Sequence, residues 1–394
     1  MEAIFTHQDH VYMARAIALA KKGRYTTDPN PCVGCVIVRF DEGDAENGRV
    51  VGEGYHEKAG EPHAEVFALE AAGEAAFGAT AYVSLEPCSH TGRTGPCCEA
   101  LARAGVARVV VAMVDPNPQV AGRGIEHLRQ AGARVEVGLL EAQARALNPG
   151  FVSRMQGGRP FVRLKMAMSL DGRTAMGSGE SQWITGPDAR RQVQRLRARS
   201  SAILSGVESI ILDDARLTVR AEQLGLDNAR AVARRQPLRV IMDSTLRLPL
   251  AAACLQEPGR TLVITTEAHS EEKRQKLEAA GAIIHVMPAV KAGRVSLTDM
   301  LGFLAREYDI NEVLVETGAT LAGALLDAGL VDELQLFVAP TLLGGEARPL
   351  FALPGLTEMA HQKRLDIQDI RAVGSDWRII ATPREPQTGD AAGV

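Results

Sequence analysis

The chain has 394 residues, 46% of them hydrophobic and 23% charged, a composition that fits a soluble globular protein long enough for two domains. A net charge of −4 gives no footing for nucleic acid or an anionic membrane as partner, and no apolar run approaches the roughly 20 residues of a membrane span. Met1 to His10 lacks the basic and apolar regions of a signal peptide, and six scattered Cys suit a reducing cytoplasm better than a disulfide framework.

In chain order, His7 to Lys22 carries Val11, Met13, Ala14, Ile17, Ala18 and Leu19 at helical spacing, ending near Gly23. Asp28-Pro29-Asn30-Pro31 predicts a turn into a short buried strand, Val33 to Val38. The acidic, Gly-rich residues 41–48 read as an exposed hairpin tip, with Val50 to Gly54 as the return strand. His63 opens a helix to about Gly73. A strand over Ala81 to Leu85 leads into a loop from Cys88 to Cys97 and a further helix. A strand from Ala107 to Met113, a helix from Gly124 to Ala131 and a strand from Arg134 to Gly138 follow. The alternation predicts a largely parallel sheet covered on both faces, with ligands at strand ends and helix starts.

His63-Ala64-Glu65, Glu86-Pro87-Cys88 and Cys97 carry the chemistry of this half. One His and two Cys are a ligand set that Zn²⁺ prefers, and three protein ligands leave a position open to water. Zinc brings such a water to a pKa of about 7. Glu65 is too close to His63 in sequence to add a comfortable fourth bond, and is placed to move protons instead. H-x-E with a later P-C-x-x-C marks the zinc deaminases; here eight residues separate the two Cys instead of two. A closed structural site, with His90 or Cys98 as fourth ligand, would leave Glu65 without a role.

Pro149, Gly150, Gly157, Gly158 and Pro160 mark residues 149–160 as a linker between domains over 1–148 and 161–383, with a disordered tail over 384–394. The second domain opens with a strand, Phe161 to Met168. Thr185-Gly186-Pro187-Asp188 has the form of a helix start with a Thr cap. Its helix carries Arg190, Arg191, Arg195, Arg197 and Arg199, which by themselves read as a solvated face. Strands are expected at Ala202 to Leu204, Arg239 to Asp243, Thr261 to Thr265, Ile283 to Val286 and Glu312 to Glu316. Glu333 to Ala339 and Trp377 to Ala381 should pair antiparallel at the edge. No G-x-G-x-x-G follows a strand. Val315 to Gly323 is a strand, a Gly turn and a helix start, which offers free N–H groups to a phosphate. Lys165, alternating with apolar neighbours, suggests an anionic ligand, and Trp183 is either a buried anchor or a stacking platform. Together these residues indicate an α/β domain that binds a phosphorylated ligand.

With these motifs in hand, the chain resembles the bifunctional deaminase–reductase family of riboflavin biosynthesis over nearly its whole length. The first half is similar through Asp28-Pro29-Asn30-Pro31, Gly54-Tyr55-His56, Gly60-Glu61-Pro62-His63-Ala64-Glu65 and Glu86-Pro87-Cys88-Ser89-His90, and the gap to Cys97 is the family's own spacing. The second half is similar through Ser169-Leu170-Asp171-Gly172-Arg173, Gly179-Glu180-Ser181-Gln182-Trp183-Ile184, Asp213-Asp214 and Leu217-Thr218-Val219-Arg220. The resemblance implies an α/β fold in two parts, a cytidine-deaminase-like zinc domain and a dihydrofolate-reductase-like domain.

It also implies two reactions. The first is hydrolytic deamination of 2,5-diamino-6-(5-phosphoribosylamino)pyrimidin-4(3H)-one with one Zn²⁺ per chain. The second is NADPH-dependent reduction of the ribosyl side chain to ribityl. His63, Cys88 and Cys97 would hold the zinc and Glu65 would relay the proton. NADPH would meet Ala167, Trp183, Ser209, Asp213, Ser244 and the run Gly318, Ala319, Thr320, Leu321, Ala322, Gly323 and Ala324. The substrate would meet Lys165, Ser181, Arg197, Leu217, Arg220 and Glu316, the two Arg as phosphate partners. A cytoplasmic homo-oligomer is the family expectation. Gly95 and Ala215 stand where the family usually has Pro, and the 41–48 hairpin is longer than typical. A base deaminase acting on nucleic acid is disfavoured by the net charge and by the lack of a basic-aromatic pattern. A binding module with a structural zinc would keep its function in Glu65→Ala.

Overall fold

The computed structural model describes residues 5–41, 44–89 and 95–384. Part of the expected hairpin tip, His90 and all of the expected tail except Arg384 lie outside them. The chain forms two compact units, Met1–Arg159 and Pro160–Val394. Among the described residues no helix is long and apolar enough to cross a membrane.

The first unit starts with helix α1 (His7–Ala20), whose Thr6 and Asp9 form a reciprocal capping box. Strands β1 (Gly34–Asp41), β2 (Asp44–Tyr55), β3 (Thr80–Val83), β4 (Arg108–Val111) and β5 (Arg134–Val137) form one sheet in the order β2-β1-β3-β4-β5. The expectation of a largely parallel sheet holds only for β3-β4-β5; β1 pairs antiparallel with both β2 and β3. Only two residues separate β1 from β2 in the sequence, and strands connected so closely can only run antiparallel. Helices α2 (Ala64–Ala72), α3 (Cys97–Arg103) and α4 (Arg123–Gln130) follow β2, β3 and β4. Small residues let α2 lie close to the sheet, with Ala64, Ala68 and Ala72 buried beside Ile37, Ala81 and Val83. After α5 (Glu141–Leu147), the expected linker is a helix, α6 (Pro149–Gly157). Its Pro and Gly residues act as start and stop signals. Pro149 occupies the first helical position and Gly158, with φ of 66°, ends the helix.

The second unit contains β6 (Phe161–Ser169), β7 (Arg173–Ala175), helix α7 (Pro187–Arg199), β8 (Ala202–Gly206), helix α8 (Val207–Asp213), β9 (Leu238–Met242), β10 (Thr261–Thr265) and β11 (Ala282–Val286). Strands β12 (Glu312–Glu316), β13 (Glu333–Ala339), β14 (Arg348–Pro349), β15 (Leu365–Val373) and β16 (Asp376–Pro383) follow. Nine of these make one sheet, β11-β10-β9-β8-β12-β6-β13-β16-β15. Its strands are parallel from β11 through β13. The expected edge pair is therefore corrected. β13 does pair antiparallel with β16, but it is interior, flanked by β6, and the edge belongs to the polar strand β15.

Two further expectations change. The cap of α7 is Gly186, not Thr185, because Pro187 fixes the first helical position. The arginines of α7 are mostly not solvated. Arg195 donates to the Leu224 and Gly225 carbonyls, Arg197 pairs with Glu316, and Arg199 pairs with Glu312. Only Arg191 is exposed among the five. The reason lies in the sheet face beneath α7. Arg163, 1% exposed, bridges Glu312 at 2.7 Å and Glu333 at 2.5 Å there, and buried charges are tolerated only when paired.

Candidate active sites

In the first unit, β2 delivers the chain to His63, the N-cap of α2, with Glu65 in that helix's first turn. Cys97 begins α3 directly after Pro96. His63 Nδ1 lies 3.5 Å from Cys88 Sγ and 3.3 Å from Cys97 Sγ, and the potential ligand atoms all fall within 4.8 Å of one another. The Cys97 amide donates to Cys88 Sγ at 3.4 Å, and the Cys98 amide to the Cys88 carbonyl at 3.2 Å. Cys98 itself packs in the core beside Leu101, so its thiol belongs to the interior. The thiol that joins His63 and Cys88 is that of Cys97.

Hydrogen bonding from Cys97, assisted by His63 and opposed by burial, pulls the Cys88 thiol down to about 4. The same contact, with burial, pushes Cys97 up, so the two titrate as a pair. Burial raises Glu65 to about 7, against the pull of His63. Its Oε2 is buried with no hydrogen-bond partner, although only 2% of the residue is exposed. A buried lone oxygen costs about 1–3 kcal/mol unless a ligand satisfies it. His, two thiols and that carboxyl match a three-ligand zinc site with an acid–base group beside it.

Sequence reading missed the surroundings of this cluster. His56, buried, places Nδ1 3.0 Å from the Pro62 carbonyl, so Nε2 accepts from Asn30 Nδ2 at 3.1 Å. Its ring stands edge-on to that of His63 at 5.3 Å. Glu86, buried as well, accepts four backbone N–H bonds.

In the second unit the parallel register sets Glu316 beside Lys165, and Gln335 on its other side. Arg197 grips both oxygens of Glu316, at 2.6 and 3.0 Å, and donates to the Thr218 carbonyl at 3.0 Å. Burial lowers the Lys165 ammonium, opposed by Glu316 and reinforced by Arg197. Lys165, Arg197 and Glu316 thus form one cluster. Ala167 is half-buried two residues further along β6.

Other expected residues gather at the C-terminal ends of the parallel strands, where open α/β sheets bind ligands. Ser209 accepts from the Gly318 amide at 3.1 Å, and Ser181 donates to Asp213 at 2.9 Å. The Ser244 carbonyl accepts from Thr266 in the turn after β9. Gly318 caps the helix Ala319–Asp327, whose first-turn amides of Ala319, Thr320 and Leu321 have no intrahelical acceptor. Ala322 already donates to Gly318 and is buried in the core, and a Cβ on Gly323 would sit 2.0 Å from the Ala352 carbonyl oxygen. Those two residues therefore offer a ligand no free side chain, and the free N–H groups of the run lie at its start. Leu217, 2% exposed, likewise points into the core. Trp183 is 69% exposed with the Arg190 guanidinium 4.7 Å over its ring, so it is no buried anchor. The Arg220 amide is held by Gln194 at 2.9 Å.

Residues 6–113 match the cytidine and deoxycytidylate deaminase zinc-binding region, and residues 160–379 match the RibD C-terminal domain. Riboflavin biosynthesis protein RibD of Escherichia coli K12 is 52% identical over 372 residues, which cover 94% of this chain and 98% of that one. This chain belongs to the RibD family. Among solved structures, Acinetobacter baumannii RibD is 48% identical, with 96% of this chain and 99% of that one covered and a TM-score of 0.87. The Thermotoga maritima diaminohydroxyphosphoribosylaminopyrimidine deaminase/5-amino-6-(5-phosphoribosylamino)uracil reductase is 32% identical with the same coverage and a TM-score of 0.79. Membership carries the function class. The chain is a bifunctional deaminase and reductase of riboflavin biosynthesis, dependent on zinc and NADPH, with the expected deaminase-like and reductase-like folds.

Proposed function

We propose that this chain converts 2,5-diamino-6-(5-phosphoribosylamino)pyrimidin-4(3H)-one by deamination at residues 1–148 and by reduction of the ribosyl side chain at residues 161–383. The observation that carries the first step is the His63–Cys88–Cys97 cluster around a buried Glu65 with an unpartnered oxygen. His63, Cys88 and Cys97 would hold the zinc, which would supply a bound water with its pKa lowered to about 7. Glu65 takes a proton from the attacking water and returns it to the departing amine, a task suited to a carboxyl that burial holds above the usual carboxylate range. His56, held by Asn30 and Pro62, stays neutral under burial and shapes the floor beside His63.

NADPH supplies the hydride for the second step. The N–H groups of Ala319, Thr320 and Leu321 receive its phosphates at a helix start. Ala167, Trp183, Ser209, Asp213 and Ser244 line the rest of its path. Lys165 donates a hydrogen bond to the carbonyl of the opened sugar, with Glu316 as its register neighbour and Arg197 holding Glu316. Ser181 and Arg220 contact the substrate, Arg220 at its phosphate. The enzyme acts in the cytoplasm as a homo-oligomer, as the family resemblance implies.

The test follows NADPH oxidation by purified protein. Wild type should consume NADPH from the diamino compound, and Glu65→Ala only from the deaminated intermediate. Equal rates for both proteins on the diamino compound would remove Glu65 from the proton path. No oxidation with either compound would remove the reductase assignment.

A further inference from the structure

Glu86 lies two residues before Cys88 and is only 3% exposed. Its backbone N–H donates to the Met113 carbonyl at the end of β4, at 3.0 Å. Its carboxylate turns away from the zinc cluster. Oε2 accepts from the Asp115 and Gly122 amides at 3.1 and 3.0 Å, and Oε1 from Gly124 and Ile125 at 3.0 and 3.3 Å. Gly124 and Ile125 are the second and third residues of α4, with Gly122 as its N-cap. The carboxylate therefore replaces the side-chain cap that α4 lacks, and it does so from the loop after β3. The contact leaves no slack. A Cβ on Gly124 would sit 2.0 Å from the Pro87 carbonyl oxygen, which immediately precedes Cys88.

Cys88 is thus held from both sides. After it, the first turn of α3 binds its sulfur and carbonyl through the Cys97 and Cys98 amides. Before it, the Glu86 carboxylate fixes the loop to the start of α4. A neutral isostere would turn an NH₂ toward backbone donors and lose the charge-assisted bonds at the start of α4.

We propose that Glu86 is the positioning residue of the metal centre, setting the Cys88 thiolate in register with His63 and Cys97 by clamping its loop to α4. The inference rests on those three residues being the zinc ligands. Groups that orient metal ligands from behind typically contribute about 10–100-fold to metal affinity.

The experiment uses the full chain, comparing wild type with Glu86→Gln. It measures zinc release to a colorimetric chelator and the visible spectrum of the Co²⁺-substituted protein. The expected result is zinc release faster, or affinity weaker, by at least about 10-fold, with altered thiolate-to-Co²⁺ and ligand-field bands. Reductase turnover on the deaminated intermediate should stay close to wild type, and the metal-free protein should stay folded at the assay temperature although its melting temperature falls. Should Glu86→Gln not yield folded protein, Glu86→Asp, which keeps the charge but reaches fewer of the four amides, is measured in the same way. Unchanged zinc release and Co²⁺ spectrum in a folded variant would overturn the proposal, as would loss of folding in both variants, which marks a purely structural role. Failure of wild type to hold one zinc per chain would instead sink the ligand assignment beneath it.

Discussion

Asp9 gives a prediction whose size follows from the structure. It is 1% exposed and accepts from Arg108 Nη1 and Nη2 at 2.7 and 3.1 Å, from the Tyr82 hydroxyl at 2.7 Å and from the Thr6 amide at 2.8 Å. Burial alone would raise this carboxyl, but the Arg108, Thr6 and Tyr82 hydrogen bonds prevail and hold it at about 2 instead of 3.8. A folded-state value below the unfolded one means the stabilisation is present above about pH 4 and is lost as the pH falls through 2. It amounts to about 2.5 kcal/mol at neutral pH, of which about 1 kcal/mol is gone by pH 3. Asp9→Asn should destabilise the first unit by about 3 kcal/mol at pH 7, the low end for breaking a buried pair, because Glu136 still holds Arg108 at 2.6 Å. Both Trp residues, Trp183 and Trp377, lie in the second unit, so their fluorescence reports the other half of the chain. Urea unfolding is therefore followed by hydrogen exchange on peptides covering α1 and β3, with Trp fluorescence as internal control. The gap between wild type and variant should narrow from pH 7 to pH 3, and the Trp midpoint should hold still. A gap constant across that range, or one equal in both units, would refute the reasoning.

Other expectations are quicker to state. Cys97→Ala should lose stoichiometric zinc on elemental analysis while Cys98→Ala retains it, since the Cys98 side chain is packed in the core. Removing zinc with a chelator should abolish ammonia release from the diamino compound and spare NADPH oxidation with the deaminated intermediate. Lys165→Gln should slow reduction by at least about 100-fold and leave ammonia release intact, as for loss of a group that donates to the reacting carbonyl. Glu316→Gln strands Arg197, 13% exposed, and should cost the second unit about 3 kcal/mol in urea unfolding monitored by Trp fluorescence.

The zinc cluster was legible because its ligands sit in short motifs whose residue types are rare together, and the fold only has to bring three turns to one point. Helix α1 and the parallel strands were legible through their periodicity. What escaped had its cause elsewhere in the chain. The arginines of α7 look like a solvated face in any window of their own helix. Their partners Glu312 and Glu316 lie more than a hundred positions away, and only the sheet register makes them neighbours. Within residues 149–160, read as a linker, Pro149–Gly157 is helical, because Pro and Gly punctuate a helix as readily as a linker. Strand β15 shows little apolar alternation because it is an exposed edge. Ala322, Gly323 and Leu217 fell within matching motifs, yet packing turns them to the interior, and a motif does not record which way a side chain faces.

Both units carry buried side-chain oxygens without a hydrogen-bond partner. Among the described residues, five buried side-chain oxygens have no hydrogen-bond partner, on Glu65, Glu136, Ser205, Asp243 and Gln335. That of Glu136 has an ion pair with Arg134, leaving four. Glu65 stands in the zinc cluster and Asp243 directly precedes Ser244. Gln335 is the register partner of Lys165, and Ser205 follows Leu204, the partner of Val315, which places it beside Glu316. Leu204, Val315, Leu164 and Leu334 all face the core on one side of the sheet, so Ser205, Glu316, Lys165 and Gln335 share the other side. Elsewhere the chain goes to some length to pair such groups, as the Asp9–Arg108–Glu136 and Glu312–Arg163–Glu333 networks show. At about 1–3 kcal/mol for each lone polar atom, these four oxygens weigh heavily against a net stability of about 5–15 kcal/mol. Their grouping in or beside the two candidate sites is what acceptors awaiting a ligand would produce.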